Sequence, residues 1–493
     1  MKKIVYVPID ERPCNYDFPY EVISESESLS ILRPGKDVMG KKKQPADCER
    51  LCEFLLCECR DADYLILALD TLLYGGIIPS RLHRTDEALL KRRLATLKEL
   101  KRSNPKLHIS AFSLVMRCPC YSDSSEEPDY YDVCGREIFL WGQNEHKYRL
   151  GEISREKYEA TKRELAVCEP YIDDYEHRRA TNLNMLVDTL GMVGEYIDEL
   201  TILQDDSNPR GYTSMDRACV LDVVQRRGID LDTYPGADEG GLTLLARAAT
   251  QIEGRRPKIF VAYPREGAEN VIPIYEDREI KKTVSAQIGS AGAIECFTES
   301  EADIVLFCNL NDEHTYDVYL SPTRQSDESY VTSFVGRMSD TLASGRGVAV
   351  ADVAYCNAGD LTLALEIERC IGFLNLWGYA GWNTSSNTVG TVLCQGVLRY
   401  LYGNTDSHRR FTALRVMDDV VYSAVVRPKE RERAKEDNKT VFESEGARAD
   451  EILQLINQKT EEVFPRISEK YRAVACRLPW NRLFEIELKI EEK

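Results

Sequence analysis

Short apolar runs recur along this chain, each followed by a polar or Gly/Pro-rich turn and then a helical stretch. The runs lie at 4–9, 29–32, 64–69, 108–115, 200–203, 258–263, 304–309, 348–353 and 373–379. They are nearly continuous in hydrophobicity rather than alternating with period two, which is how parallel strands covered on both faces read. Helical stretches separate many of them. Thr85 followed by Asp86 and Glu87 is an N-terminal signal for a helix over 88–102 that ends before Pro105. Ser154 opens a long helix, Ser214 with Asp216 opens another that stops at Gly228, and 384–402 is a further one. Such alternation means parallel sheet, as a closed (β/α) barrel or an open doubly wound sheet. With 493 residues the chain has room for one large unit and a smaller one. The expected fold is α/β, a parallel (β/α) barrel-like catalytic domain with additional α/β elements over 1–428. An irregular excursion near the site is expected at 119–153, and a small C-terminal appendage over 429–493, introduced by the charged stretch 429–438.

Charge narrows the partners. Eighty-two acidic against 64 basic side chains give a net charge of -18. That surface repels phosphate backbones and anionic lipid, so no nucleic acid and no membrane is expected, and a neutral or cationic small molecule fits better. Met1-Lys2-Lys3 runs directly into a strand-like segment with no apolar stretch for export or anchoring, which leads to a cytoplasmic expectation. The sixteen cysteines are then read as thiols. Cys48, Cys52, Cys57 and Cys59 have no paired C-x-x-C spacing and share an amphipathic helix over 45–59 with Leu51, Phe54 and Leu55.

In parallel α/β sheets, ligands bind beyond the carboxyl ends of the strands. Chemistry-bearing residues stand directly after the runs: Asp10 and Arg12; Asp70 and Arg81; Arg117; Asp205-Asp206; Asp238-Glu239; Asp352, Asn357 and Asp360; and Tyr379, Trp382, Asn383 and Asn387. A single acid after a strand is more often a cap or turn former. Recurrence at one end of many strands is harder to dismiss. Asp205-Asp206 is the strongest pair, because adjacent buried carboxylates repel and one can hold a proton near neutrality, as a general acid requires. Both reach one substrate only if the chain is already turning, and Ser207-Asn208-Pro209 supplies a turn. Asp238-Glu239 is the rival pair, with Gly240 and Gly241 allowing close backbone approach. Ion pairs Asp10–Arg12 and Asp70–Arg81 are the structural alternatives to substrate contact. Tyr379 and Trp382 offer flat faces beside the amides of Asn383 and Asn387, which suits a sugar ring. Walker, G-x-G-x-x-G and G-x-S-x-G patterns are absent, and the six histidines form no H-x-x-x-H or H-x-H pair. No cofactor is therefore expected.

The segments Pro8-Ile9-Asp10-Glu11-Arg12-Pro13, Gly75-Gly76-Ile77-Ile78-Pro79-Ser80-Arg81, Gln204-Asp205-Asp206, Gly236-Ala237-Asp238-Glu239 and Gly378-Tyr379-Ala380-Gly381-Trp382-Asn383-Thr384 resemble a bacterial family catalogued as domain of unknown function number 4127. Ser207 and Arg210 stand where members of that family often carry alanine and a nearby tyrosine. The family label implies no activity. Asp205-Asp206 is also similar to the aspartate pair of N-acetylhexosaminidases, a motif-level resemblance. It implies that Asp205 orients the substrate acetamide and Asp206 is the acid/base. The leading expectation is a glycoside hydrolase acting on a small sugar or glycoside, with Asp205 and Asp206 catalytic. Asp10, Arg12, Asp70, Arg81, Arg117, Asp238, Glu239, Tyr379, Trp382, Asn383 and Asn387 are its binding residues. The alternatives are a hydrolase or lyase using carboxylate-bound Mg²⁺ or Mn²⁺, and a non-enzymatic carbohydrate-binding protein.

Overall fold

Nearly every apolar run pairs in parallel with a neighbour. In the computed structural model, which describes residues 1–24, 26–310, 312–319, 326–436 and 448–493, the chain divides into two compact units. One comprises Met1–Glu11, Leu29–Gly241 and Tyr275–Asp277; the other comprises Arg12–Ser28, Leu242–Ile274 and Arg278–Lys493.

The first unit is built on β1 (Lys2–Val7), β2 (Leu29–Leu32), β3 (Tyr64–Ala68), β4 (His108–Val115), β5 (Glu199–Gln204) and β6 (Asp232–Pro235). They form one parallel sheet in the order β2-β1-β3-β4-β5-β6. Val5, Leu67, Ile109 and Ile202 are buried in one cluster with Leu51, Leu55 and Leu97 from the covering helices. Each such side chain contributes about 1.5–3 kcal/mol by leaving water.

The second unit holds β7 (Lys258–Ala262), β8 (Ile294–Glu295), β9 (Ile304–Cys308), β10 (Tyr316–Asp317), β11 (Gly347–Ala351), β12 (Tyr355–Cys356), β13 (Gly378–Ala380), β14 (Tyr471–Arg477) and β15 (Glu487–Glu492). Its main sheet runs β13-β11-β9-β7-β8, again parallel. β10 pairs with β12, and β14 pairs antiparallel with β15. The fold is thus α/β with parallel sheets. The expected closed barrel is not what the described residues form, because β2 and β6 remain the edges of one sheet and later strands enter another.

Other details differ from the sequence reading. The segment 119–153 contains a regular helix, Tyr131–Arg149. Asp86, not Thr85, caps the following helix by accepting from the Ala88 N–H, and 88–102 breaks into Glu87–Leu94 and Thr96–Ser103. Gly211 stands at the N-terminus of Tyr212–Arg227, while Ser214 bonds the Asn208 carbonyl instead of capping. Ser154 does cap Arg155–Leu165, through the Lys157 N–H. The charged stretch at 429 begins inside a helix, Arg427–Glu436; residues 437 and 438 lie outside the described residues. The hairpin β14–β15 belongs to the second unit, where Tyr422 donates to the Leu483 carbonyl at 2.8 Å. Among the described residues no helix is long and apolar enough to cross a membrane.

Cys134 and Cys168, read as thiols from sequence, form a disulfide, and both are buried beside Tyr131 and Tyr175. The link spans 34 residues, so opening it should cost about 2–4 kcal/mol by restoring chain entropy to the unfolded state. Urea unfolding with and without dithiothreitol checks this; coincident curves, with the bond shown intact by mass spectrometry beforehand, would contradict it.

Candidate functional site

The carboxyl ends of β3, β4 and β5 gather the chemistry of the first unit. Arg81 arrives on the helix Ile77–Leu82, which starts after Gly75 and Gly76, both in positive-φ conformations. Arg117 follows β4 by two residues, and Asp205 and Asp206 follow β5 directly. Arg81 Nη2 donates to Asp205 Oδ2 at 2.5 Å, and Arg117 Nη1 donates to Asp206 Oδ2 at 2.8 Å. Glu126 and Glu127 bridge the two guanidinium groups. Arg117 Nε and Nη2 reach Glu127 and Glu126 at 2.8 and 3.1 Å, and Arg81 Nη1 reaches them at 3.5 and 3.2 Å.

Four carboxylates therefore share two buried guanidinium groups, and Asp70 adds another acid nearby. The excess negative charge and the scarcity of water both favour protons. Burial pushes Asp70 up to about 6, opposed by hydrogen bonds from Ser113 and the Leu114 N–H and reinforced by the charge of Asp205. Burial also raises Asp206 above the usual carboxylate range, with Arg117 opposing and Asp205 reinforcing. Glu127 is raised for the same first reason. Asp206 keeps 23% of its side chain exposed against 11% for Asp205 and 2% for Glu127, so it is the member most open to a ligand. Its backbone φ is +27°, a left-handed conformation that a non-glycine residue adopts at a cost. The turn needed to present both aspartates is thus made at Asp206 itself, and the Ser207 N–H holds it by donating to the Tyr275 carbonyl at 3.0 Å.

Several expectations change. Asp70 pairs with β4 rather than Arg81, whose charge goes to Asp205, Glu126 and Glu127. Arg81 and Arg117 set the geometry of the carboxylates around them. Asp10 is buried after β1, and Asp238 and Glu239 are buried after β6, whose Gly236 N–H donates to the Gln204 carbonyl. Glu239, 0% exposed, folds back to accept from the Ala237 N–H at 3.0 Å, so it does not grip a ligand. A side chain at Gly236 (φ +143°) would collide with this carboxylate.

Burial raises Glu239 to about 8 from an ordinary value of 4.5, opposed by backbone hydrogen bonds and reinforced by the charges of Asp238 and Glu276. Its folded-state value is the raised one, so its stabilising contribution is full below pH 4.5 and lost as pH rises through about 8. Glu239→Gln keeps the oxygen facing Ala237 and removes the ionisation. The variant's stability relative to the parent should grow by about 1.4 kcal/mol per pH unit across that window. Chemical denaturation from pH 5 to 9 measures it; a pH-independent difference would contradict it.

The remaining candidates lie in the second unit, around other acids. Asp352, after β11, accepts from Asn309 at 2.8 Å, from the Asp360 N–H at 2.6 Å and from the Tyr379 hydroxyl at 3.0 Å. Burial and the charge of Asp360 raise Asp352 above the usual range. Tyr379 is 0% exposed and packs edge-on against Phe373 at 4.9 Å, so it offers no face to a sugar. Asn387 is buried and donates to Thr384 Oγ1 at 3.1 Å. Trp382 remains partly exposed, with its indole N–H on Thr391 at 3.2 Å. Arg12 lies over the Trp480 ring at 4.8 Å and faces Glu485 at 3.7 Å.

Sequence reasoning missed Glu126 and Glu127, whose Ser-Ser-Glu-Glu-Pro setting reads as a polar surface loop; the only signal for them was that two arginines at strand ends need counter-charges. It also missed Arg415, Asp418 and Asp419. Among the described residues no group of three or more His, Cys, Asp or Glu side chains is arranged to hold a metal ion. In the first unit Asp205, Asp206, Glu126 and Glu127 are engaged by Arg81 and Arg117.

No curated protein and no solved structure matches the chain, so the likeness to N-acetylhexosaminidases stays confined to two adjacent aspartates. The sequence profile of one family, described as "Protein of unknown function (DUF4127)", matches residues 4–489. That match takes in most of both units and every candidate site residue, and the chain belongs to this family.

Proposed function

We propose that the chain is a glycoside hydrolase in which Asp206 is the general acid and Asp205 the carboxylate that orients or stabilises the reacting sugar. One observation carries the reading: two adjacent aspartates close β5, each held by its own buried arginine, with only Asp206 substantially open and its proton affinity raised. The arrangement separates roles. Arg81 holds Asp205 at a short, charge-assisted contact, as an orienting carboxylate needs, whereas desolvation lets Asp206 carry a proton near neutrality. An N-acetylhexosaminide is the first substrate to try, because its acetamido group supplies the nucleophile and one protein acid/base then suffices. The net charge of -18 agrees with a neutral substrate.

A panel of chromogenic aryl glycosides, N-acetylhexosaminides included, tests the reading on the full chain with and without EDTA. Turnover of at least one glycoside, unchanged by EDTA, is the expected result. Absence of turnover across the panel would oppose it, and turnover abolished by EDTA would return the site to metal chemistry.

A further inference from the structure

The amino edge of the second unit's main sheet carries an open groove of about 500 Å³. Leu342, Arg346, Ile371, Asn375, Trp377 and Arg399 contribute to its lining, and among the described residues no Asp or Glu does. Gly347 begins β11 and Trp377 stands immediately before β13, which places the groove at the amino ends of these strands. Asp352 and its partners lie at the other end of β11 and are separate from it.

The local sequence builds the groove around Trp377. A Cβ at Gly347 would stand 2.4 Å from the indole, so glycine is what lets the ring lie against the β11 backbone. The Trp377 N–H donates to the Val348 carbonyl at 2.7 Å, and the Trp377 carbonyl meets His408 Nε2 at 3.0 Å. The Arg399 guanidinium stands 5.7 Å from the centre of the ring. Its Nη1 donates to the carbonyls of Leu376 and Leu374 at 2.5 and 3.5 Å. Among the described residues its Nε and Nη2 have no hydrogen-bond partner, and no carboxylate pairs with it. Burial, reinforced by the charge of Arg409, pushes Arg399 down to about 10 from 12.5. A guanidinium drawn out of water without a counter-ion is costly to keep. Arg346 adds a second cation: its Nη1 and Nη2 donate to Ser344 Oγ at 2.7 Å and the Ser300 carbonyl at 3.2 Å, and its Nε is buried with no partner.

The surroundings do not cancel these two charges. Glu366, which accepts from the Cys370 thiol at 3.5 Å, pairs with Arg369 at 2.6 Å. Glu299, on which the charge of Arg346 acts, pairs with Arg337 at 2.9 Å, and Arg409 pairs with Asp406. Asp340 is exposed to solvent, where water and salt screen it. The helices Glu328–Ala343 and Leu361–Cys370 end at the groove, and each carboxyl terminus brings roughly half a negative charge. Two full positive charges outweigh these partial ones. The Nε–Nη2 side of a guanidinium is the fork that meets a carboxylate or phosphate through two parallel hydrogen bonds, and on Arg399 it is the side without partners. Trp377 is partly exposed beside it, with Leu342 and Ile371 as further apolar lining. We propose that this groove binds a small organic oxyanion, a carboxylate or phosphate on a flat apolar body, with the anion on the Arg399 fork and the body against Trp377. The inference stands on the second unit alone and does not need hydrolysis at Asp206.

Isothermal titration of the full-length chain with phenyl phosphate and benzoate tests it. Inorganic phosphate separates the anion from the apolar body, and benzylamine and benzyl alcohol are the cationic and neutral comparisons. At least one of the two probes should bind one-to-one and more tightly than inorganic phosphate, and the tighter probe identifies the oxyanion. Its affinity should fall at least about tenfold in Arg399→Gln, which removes the charge and keeps a donor for the Leu376 carbonyl. Arg346→Gln should weaken the same probe and serves if the first variant unfolds. Three results would overturn the inference: no saturable heat with either probe up to on the order of 10 mM, equal binding of inorganic phosphate, benzylamine or benzyl alcohol, or affinity unchanged in both variants.

Discussion

Asp206→Asn should lower turnover of the best aryl glycoside by about 10²–10⁴-fold, the usual contribution of a positioned general acid. The substitution is nearly isosteric. Its amide oxygen can still accept from Arg117 Nη1, which reaches Asp206 at 2.8 Å, so the loss should fall on turnover rather than on folding or KM. The pH profile of the unsubstituted chain gives an independent reading. An acid works only while protonated, and burial raises Asp206 above the ordinary carboxylate value of 3.8. Activity should accordingly hold at mildly acidic pH and fall as pH rises through the raised value. Near-normal turnover in the asparagine variant would refute the assignment.

Arg81→Met should destabilise the first unit by about 3–5 kcal/mol, the cost of stranding charges whose partner has gone. Arg81 is almost fully buried and serves Asp205, Glu126 and Glu127 at once, and Glu127 keeps only 2% of its side chain exposed. Methionine fills much of the volume and supplies no charge, so the remaining acids repel and must take up protons to stay buried. Adding Glu127→Gln to Arg81→Met should recover part of the loss by deleting one stranded charge. Urea unfolding of the single and double variants at pH 7 measures both effects. A single-variant loss below about 0.5 kcal/mol would mean that the network is ordinary surface pairing.

The fold was legible in the sequence where its signals were apolar. The runs at 29–32, 64–69, 108–115 and 200–203 became β2, β3, β4 and β5 almost residue for residue, because continuously apolar segments of that length have few other uses in a parallel sheet. β6 was not marked as a run, since it is only Asp-Thr-Tyr-Pro. The helix Tyr131–Arg149 was hidden by Gly135 and Gly142, which spoil the helical pattern. At Gly142 there is no room for a side chain against the Tyr212 ring. Barrel and open sheet share one alternation of strand and helix, so the sequence could not show that strands after 235 enter a second sheet.

The site was legible in half. Asp205, Asp206, Arg81 and Arg117 stood out as charged residues at strand ends, and the structure brings them together. Their bridging partners Glu126 and Glu127 lay in a loop of surface composition. Tyr379 misled because a strand-end aromatic looks the same whether its ring faces a ligand or Phe373. In the second unit, Arg415 with Asp418 and Asp419 at spacings of three and four was a readable pair of helical contacts. The apolar residues around them read as core, and nothing in their order announced a π-helix.

Burial, reinforced by the charge of Asp205, outweighs Arg117 at Asp206, and on this rests the claim that Asp206 keeps its proton toward neutrality. Carbon-13 NMR titration of aspartate labelled at the side-chain carboxyl, with the Asp206 signal identified by its loss in Asp206→Asn, measures this directly. The expected midpoint lies clearly above 3.8, with the signal still protonated at mildly acidic pH. A midpoint at or below the ordinary value would show Arg117 outweighing burial, and the proposed acid would have no proton to give.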